Sequence, residues 1–102
     1  MTIINLEILT QGRTTVLGSK VKGADAREKF GLDELDKNAD SIDVLIPDYI
    51  VTFTPSFFLG LFSKSLDALG EEKFFLKYHF KNAREIIQKQ ILSGVDDWKC
   101  AR

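Results

Sequence analysis

The side chains best suited to acid, base or nucleophilic chemistry are few in this chain of 102 residues. The only histidine, His79, lies between Tyr78 and Phe80 in an alternating pattern, so a catalytic role would require partners from distant segments. The only cysteine, Cys100, has no histidine near it in sequence to act as a base. We therefore predict that the protein is not an enzyme and that it binds neither a metal nor another cofactor.

Paired carboxylates could also serve acid and base catalysis, and the candidate pair is Asp48 with Asp43 or Asp40. Asp48 follows Pro47 at the end of an apolar run. An aspartate in such a place commonly bonds local backbone and forms a turn. We interpret Asp48 as a turn residue, and the carboxylate pair is the alternative.

Ser56 offers a different chemistry, because it falls in the first turn of a predicted helix. Pro55 suits the first helical position, where a missing N–H costs nothing. Ser56 would then lie beside unpaired N–H groups at the positive end of the helix dipole, which favour a phosphate group. The alternative is that Thr54 caps the helix and Ser56 only supports its first turn by hydrogen bonding.

The first half of the chain predicts strands around one helical region. Residues 3–9 alternate between apolar and polar side chains, and residues 10–12 read as a turn into a second strand at 14–17. We expect these two strands to form a hairpin. Residues 18–38 favour one short helix and a second helical turn. Residues 42–46 are almost continuously apolar, which predicts a central strand buried on both faces.

The second half predicts a helix, a strand and a final helix. Apolar residues recur at helical spacing after Pro55, and Gly70 is expected to end that helix. Residues 74–80 alternate and predict a strand, which should pair in parallel with the preceding one. Asn82 is expected to begin the last helix, with an apolar stripe that includes Ile86.

These elements define an α/β fold with the order β-β-α-β-α-β-α. Because helices alternate with strands, we expect a single layer of about four mixed strands with helices packed on it. Residues 1–102 are long enough for one core and form one predicted domain.

Composition limits the partners. The 14 basic and 15 acidic residues give a net charge of −1 and form no basic block, which makes nucleic acid a poor partner. No stretch approaches the ~20 apolar residues of a membrane span. The beginning of the chain lacks the pattern of a signal peptide. One cysteine excludes an internal disulfide and is typical of a reducing compartment, so we predict a cytoplasmic protein.

Several short motifs between residues 44 and 91 form a recognisable series. They are Val44-Leu-Ile46, Pro47-Asp48, Ile50-Val51, Thr54-Pro55-Ser56-Phe57, Leu61 and Phe80-Lys-Asn82. This series resembles the STAS-like family of unknown function, a relative of the STAS domains of bacterial anti-sigma factor antagonists. The resemblance implies a STAS-like fold.

The resemblance also implies a regulatory role. In antagonist STAS domains, a serine at the start of the helix after the central strand is phosphorylated by a partner kinase that is also the anti-sigma factor. Ser56 aligns with that serine and is the candidate phosphoacceptor. Pro55 stands where those domains have an aspartate, so the surface that a kinase recognises differs here.

The resemblance therefore implies a protein-interaction module in a bacterium, with a histidine-kinase-like ATPase as its partner. Residues 53–58 add an apolar surplus at a loop-to-helix junction, and an exposed remainder would mark a partner site. The predicted partner-binding residues are Asp48, Val51, Phe53, Thr54, Pro55 and Phe57.

Two other classes of function remain open from the sequence. The helix start at residues 54–56 could serve as an anion pocket in a small ligand-binding domain or an enzyme. Alternatively, an exposed sheet edge could make the protein a self-associating structural subunit. We expect a monomer or a weak homodimer.

Overall fold

Five strands and five helices are interspersed in a computed structural model that describes residues 2–38 and 40–101. In order, the elements are β1 (Thr2–Asn5), α1 (Glu7–Thr10), β2 (Val16–Leu17), α2 (Lys20–Phe30), α3 (Leu32–Leu35), β3 (Ile42–Leu45), β4 (Thr52–Phe53), α4 (Pro55–Lys77), β5 (Tyr78–Lys81) and α5 (Glu85–Cys100). The predicted α/β class is confirmed.

The main sheet is parallel and has the order β1-β3-β5. Strand β3 lies in the middle, as predicted for residues 42–46, and it pairs in parallel with β5. Its Ile42 and Val44 are buried beneath the helices, whereas Asp43 and Leu45 alternate with them and are partly exposed. The sheet is therefore buried on one face, and the prediction of burial on both faces is wrong.

A second, two-stranded sheet pairs β2 with β4, also in parallel. The predicted hairpin of the first two strands is wrong, because β1 and β2 belong to different sheets and α1 separates them. The side chain of Asn5 accepts a hydrogen bond of 2.9 Å from the Glu7 N–H, which turns the chain out of β1 and into α1. The expected single layer of mixed strands is thus replaced by two parallel sheets.

Helix α4 begins at Pro55, as predicted, and its helical backbone is interrupted at Gly70, which has φ of 82° and ψ of 161°. Helical structure then resumes up to Lys77, so the strand predicted over residues 74–80 is only partly correct. Phe74 and Tyr78 lie one helical turn apart and stack with their rings 5.0 Å apart. Their spacing suits a helix as well as a strand.

Helix α5 begins at Glu85 instead of Asn82. Asn82 has a positive φ of 63°, and its amide donates a 2.8 Å hydrogen bond to the Ile46 carbonyl oxygen. It therefore anchors a loop and does not cap a helix. The predicted apolar stripe of α5 is buried except at Ile86, which is exposed.

Helix α4 packs against α2, against α5 and against strand β5 of the main sheet, while α5 also packs against β4. Aromatic side chains from α4 and β5, among them Phe58, Phe62, Phe74 and Tyr78, meet in this core. In the part of the chain that the structure describes, no helix is long and apolar enough to cross a membrane.

Candidate functional site

Helices α2 and α4 run side by side in the same direction. At their start, a side-chain carbon on Gly18 would lie 3.6 Å from the Thr54 methyl group. Further along, Gly23 of α2 meets Gly60 of α4. Because the contacts follow the same order along both chains, the amino termini of the two helices lie at the same end. Their dipoles therefore place two positive ends next to each other.

The close approach of the helices depends on two glycines. A Cβ atom on Gly23 would lie 2.2 Å from the Phe57 carbonyl oxygen, and one on Gly60 would lie 2.1 Å from the Lys20 carbonyl oxygen. Real atoms cannot approach so closely, so only glycine permits this crossing. The crossing fixes the beginning of α4 against the beginning of α2.

Both helices are capped by a hydroxyl group. The Thr54 hydroxyl accepts a 3.1 Å hydrogen bond from the Phe57 N–H, and the Ser19 hydroxyl accepts one of the same length from the Lys22 N–H. The capping role considered for Thr54 is thus correct. Thr54 and Pro55 are both half-buried at this corner.

Ser56 is exposed in the first turn of α4. It lies one turn before Gly60, so it shares the face of α4 that meets α2. Within residues 2–38 and 40–101, no group forms a hydrogen bond with the Ser56 hydroxyl. Hydrogen bonding of the first turn therefore does not account for this serine. The hydroxyl is accessible at the junction of the two helix ends.

The aromatic residues predicted for partner binding lie inside the protein. Phe53 is 0% exposed and Phe57 is 2% exposed, and their rings meet edge to face at 5.2 Å. Phe58 is also fully buried. The core accommodates all three rings, so the expectation that some of them would remain exposed is wrong. These side chains support the corner and do not form its surface.

The other two predicted partner residues are exposed, at different places. Val51 is 48% exposed just before β4 and contributes an apolar side chain to the surface. Asp48 accepts a hydrogen bond from the amide of Asn82, in a depression at the carboxyl end of the main sheet. That depression is not lined by Ser56. The structure thus brings Thr54, Pro55 and Ser56 together but leaves Asp48 in a separate loop cluster.

A buried polar network was not predicted from the sequence. The Arg27 guanidinium donates to Asp36 at 2.6 Å, to Ser65 at 2.8 Å and to the Leu61 carbonyl oxygen at 3.0 Å. The Ser65 hydroxyl lies 2.8 Å from both carboxylate oxygens of Asp36, and the Tyr78 hydroxyl also donates to that carboxylate. Because these residues come from four distant segments, no local pattern could have revealed the network.

The network changes the ionisation of its members. Burial, together with the hydrogen bond and negative charge of Asp36, raises the pKa of Tyr78 well above its usual range. The nearby Arg27 guanidinium lowers the pKa of the exposed Asp33 carboxyl. Ser65 is 0% exposed, so a substrate has no access to this serine. The arrangement therefore suits a structural role.

The remaining candidates for chemistry do not converge. His79 lies in a strand, as its alternating pattern predicts, and is partly exposed, and its ring lies 3.6 Å from the Asp43 carboxylate on the neighbouring strand. Cys100 is exposed at the end of α5. Among the described residues, no three histidine, cysteine or acidic side chains cluster closely enough to hold a metal ion.

No protein-family model matches this chain, and neither a curated protein nor a solved structure matches it. The assignment of the candidate site therefore rests on the geometry of its own residues.

Proposed function

We propose that this protein is a non-enzymatic regulatory module that binds a protein partner through the corner formed by Val51 and residues 54–56. Phosphorylation of Ser56 switches that contact. The observation that carries the proposal is the exposed Ser56 hydroxyl at the junction of the α2 and α4 amino termini, which forms no hydrogen bond with any described residue.

A phosphate group fits this position electrostatically. Phosphorylation adds a charge of roughly −1.5 to −2 at pH 7. Each nearby helix end favours a negative charge by about 0.3–1 kcal/mol when exposed. Two such ends are adjacent here, and Lys20 and Lys22 lie in the first turn of α2. The corner would therefore stabilise a phosphate that also changes the charge seen by a partner.

The partner surface is smaller than the sequence suggested. Phe53 and Phe57 are buried and hold the corner in place, while Thr54, Pro55 and Ser56 present its surface and Val51 is exposed on the segment before β4. Asp48 lies in a different depression and belongs to the periphery at most. The resemblance to STAS domains supports a histidine-kinase-like ATPase as the partner, in the cytoplasm of a bacterium.

Calorimetry tests the proposal. Each histidine-kinase-like ATPase of the host is purified, and its affinity for this protein is measured. Variants Ser56→Ala and Ser56→Asp separate the hydroxyl from the negative charge. Ser93→Asp is the matched control, because Ser93 is an exposed serine on α5. We expect one ATPase to bind the wild type and Ser56→Ala alike, and Ser56→Asp to bind at least about tenfold more weakly.

Ser93→Asp should bind as the wild type does. Equal affinities of Ser56→Asp and the wild type would remove the switch. An equal loss of affinity in Ser56→Asp and Ser93→Asp would show that added negative charge weakens binding nonspecifically. The corner would then not be the surface that contacts the ATPase.

The open face of the main sheet favours a second candidate, self-association. Parallel sheets are normally covered on both faces. Here Ile3 is 60% exposed, and the pairing places it in one row with Asp43 and His79. Light scattering over a range of concentrations tests this candidate. A dimer that Ile3→Lys dissociates would support it, and a monomer at every concentration would exclude it.

A further inference from the structure

A groove of about 310 Å³ separates strand β2 from helix α2. One wall is formed by Thr14 and residues 16–18, with Leu9 and Thr10 of α1 beside them. The other wall is the face of α2 that carries Lys22, Ala26 and Lys29. Ser56 does not line this groove. The groove therefore lies beside the proposed switch corner, and Lys22 borders both.

Strand β2 borders the groove with an unpaired edge. Its carbonyl groups at Thr15 and Leu17 face the other way, where they accept hydrogen bonds from Val51 at 2.8 Å and Thr54 at 2.9 Å. Because backbone groups alternate along a strand, the N–H and C=O of Val16 point to the opposite edge. In the part of the chain that the structure describes, β2 pairs with β4 alone.

A single side chain occupies this edge. The Thr14 hydroxyl accepts from the Val16 N–H and donates to the Val16 carbonyl oxygen, both at 3.2 Å. These are long contacts for hydrogen bonds involving a hydroxyl. Rotation of the Thr14 side chain would free both backbone groups for an added strand. Val16 itself is 45% exposed.

The floor of the groove is apolar and its rim is basic. Leu17, Ala26 and Phe57 are buried where they line it. Lys22 and Lys29 are exposed at the rim, and neither has an ion pair within residues 2–38 and 40–101. Asp25 lies between them, so the rim has two positive ends and a negative middle.

The spacing of the two lysines suits an extended chain. Two helical turns separate them, about 10.5 Å along the axis. An extended chain advances about 3.3 Å per residue, so the same distance covers roughly three residues. Because side chains alternate along an extended chain, only an even separation keeps two carboxylates on one side. Carboxylates four residues apart, about 13 Å, could therefore meet the flexible side chains of Lys22 and Lys29 at the same time.

We propose that this groove binds an extended acidic peptide segment of a partner protein, which adds a strand to β2. Main-chain hydrogen bonds to Val16 supply affinity, apolar side chains fill the floor, and carboxylates meet Lys22 and Lys29. Addition of a strand beside a helix is an established way of recognising peptides. The proposal does not depend on Ser56.

Selection from a random ten-residue peptide library, displayed on phage and presented to the full chain, tests the proposal. We expect enrichment of peptides with two carboxylates four residues apart and β-branched residues between them. Fluorescence anisotropy of the most enriched peptide then measures its affinity for variants. Lys22→Glu with Lys29→Glu should weaken binding about tenfold or more.

Two further variants sharpen the test. Thr14→Val removes the hydroxyl that occupies the strand edge and should strengthen binding about threefold. Lys64→Glu with Lys73→Glu is the matched control, because both lysines are exposed outside the groove. This control should bind the peptide as the wild type does.

Several results would overturn the proposal. One is a selection without enrichment of acidic peptides. Another is an unchanged affinity for both forms of the same peptide with alternate backbone nitrogens methylated, because one of the two forms blocks whichever peptide edge faces Val16. An equal loss of peptide affinity in the Lys22→Glu/Lys29→Glu variant and in its Lys64→Glu/Lys73→Glu control would also contradict it. A dimer that only the Lys22 and Lys29 substitutions dissociate would assign the groove to a second copy of the chain instead.

Discussion

The Tyr78 hydroxyl donates a hydrogen bond to the Asp36 carboxylate, which joins strand β5 to the segment after α3. The same carboxylate accepts from Arg27 of α2 and from Ser65 of α4. One buried acid thus ties both crossover helices to the sheet. This network holds α2 and α4 in the side-by-side arrangement that exposes Ser56 at their common end.

Loss of Arg27 should cost more stability than loss of any other donor in the network. Arg27→Met leaves the Asp36 carboxylate buried without a counter-charge, which costs about 3–5 kcal/mol. Tyr78→Phe removes one hydrogen bond to the carboxylate and should cost about 1.5–3 kcal/mol. Urea denaturation measures both values. Lys29→Met, an exposed change on the same helix, should be close to neutral.

The comparison of Arg27→Met with Lys29→Met by urea denaturation tests whether the network stabilises the fold. An Arg27→Met variant as stable as Lys29→Met would show that the buried ion pair contributes nothing to the fold.

Alkaline pH should destabilise the protein through Tyr78. Burial and the Asp36 carboxylate raise the pKa of Tyr78 in the folded state, whereas the unfolded chain retains a pKa of about 10. The unfolded state therefore loses its proton first as pH rises. The contribution of Tyr78 to the free energy of unfolding is fully present below pH ~10. Above that pH, it falls by up to about 1.4 kcal/mol per pH unit.

The free energy of unfolding, measured by urea between neutral and alkaline pH, checks this expectation. Tyr78→Phe is the control, because it removes the titrating hydroxyl but retains the ring. Its loss of stability above pH ~10 should be smaller than that of the wild type. Parallel curves for the two proteins would contradict the assignment to Tyr78.

Alanine at Gly23 or Gly60 should destabilise the fold. Glycine-to-alanine changes inside helices usually stabilise by about 1 kcal/mol, because alanine is the better helix former. Here the new methyl group would collide with backbone of the partner helix, so we expect a loss of about 1–3 kcal/mol. The change in the midpoint of thermal unfolding shows whether each alanine stabilises or destabilises the protein. Ser93→Ala, on the exposed face of α5, is the control.

A gain of stability at both glycines would mean that α2 and α4 do not cross at this distance. It would also remove the basis for placing their amino termini side by side.

A negative charge at position 56 should stabilise α4. Ser56→Asp places a carboxylate in the first turn, where the helix dipole favours it by about 0.3–1 kcal/mol. Ser93→Asp, near the middle of α5, lacks that benefit. Urea denaturation at low salt should therefore rank Ser56→Asp above both Ser56→Ala and Ser93→Asp. Added salt should reduce the difference, and a stability of Ser56→Asp below Ser56→Ala would contradict the geometry.

Local patterns in the sequence predicted the features that depend on neighbouring residues. The apolar run at residues 42–46 identified the central strand, although the structure buries only one face of it, with Asp43 and Leu45 partly exposed. Thr54 and Pro55 identified the beginning of α4, because capping and the missing proline N–H act within one turn. The exposed position of Ser56 follows from these local signals.

Features that depend on distant partners could not be predicted. The pairing of β1 with β3 and of β2 with β4 joins segments far apart in sequence, so an apparent turn at residues 10–12 suggested a false hairpin. The Tyr49 hydroxyl accepts from the Gly12 N–H at 3.1 Å and fixes that turn from outside. Such contacts leave no signal in the residues of the turn itself.

The buried aromatic residues show the same limit. Phe53, Phe57 and Phe58 looked like a surplus because the sequence does not reveal the volume available between α4 and α5. Gly94 of α5 creates that space, since a Cβ there would lie 2.5 Å from the Phe58 ring. Whether a core can hold one more ring depends on the opposite helix.

Mass spectrometry of the protein isolated from its native host tests the regulatory account most directly. The account predicts a phosphate on Ser56 in a fraction of the molecules, at a level that changes with growth conditions. Ser56 that carries no phosphate under any condition in which the protein is made would contradict it.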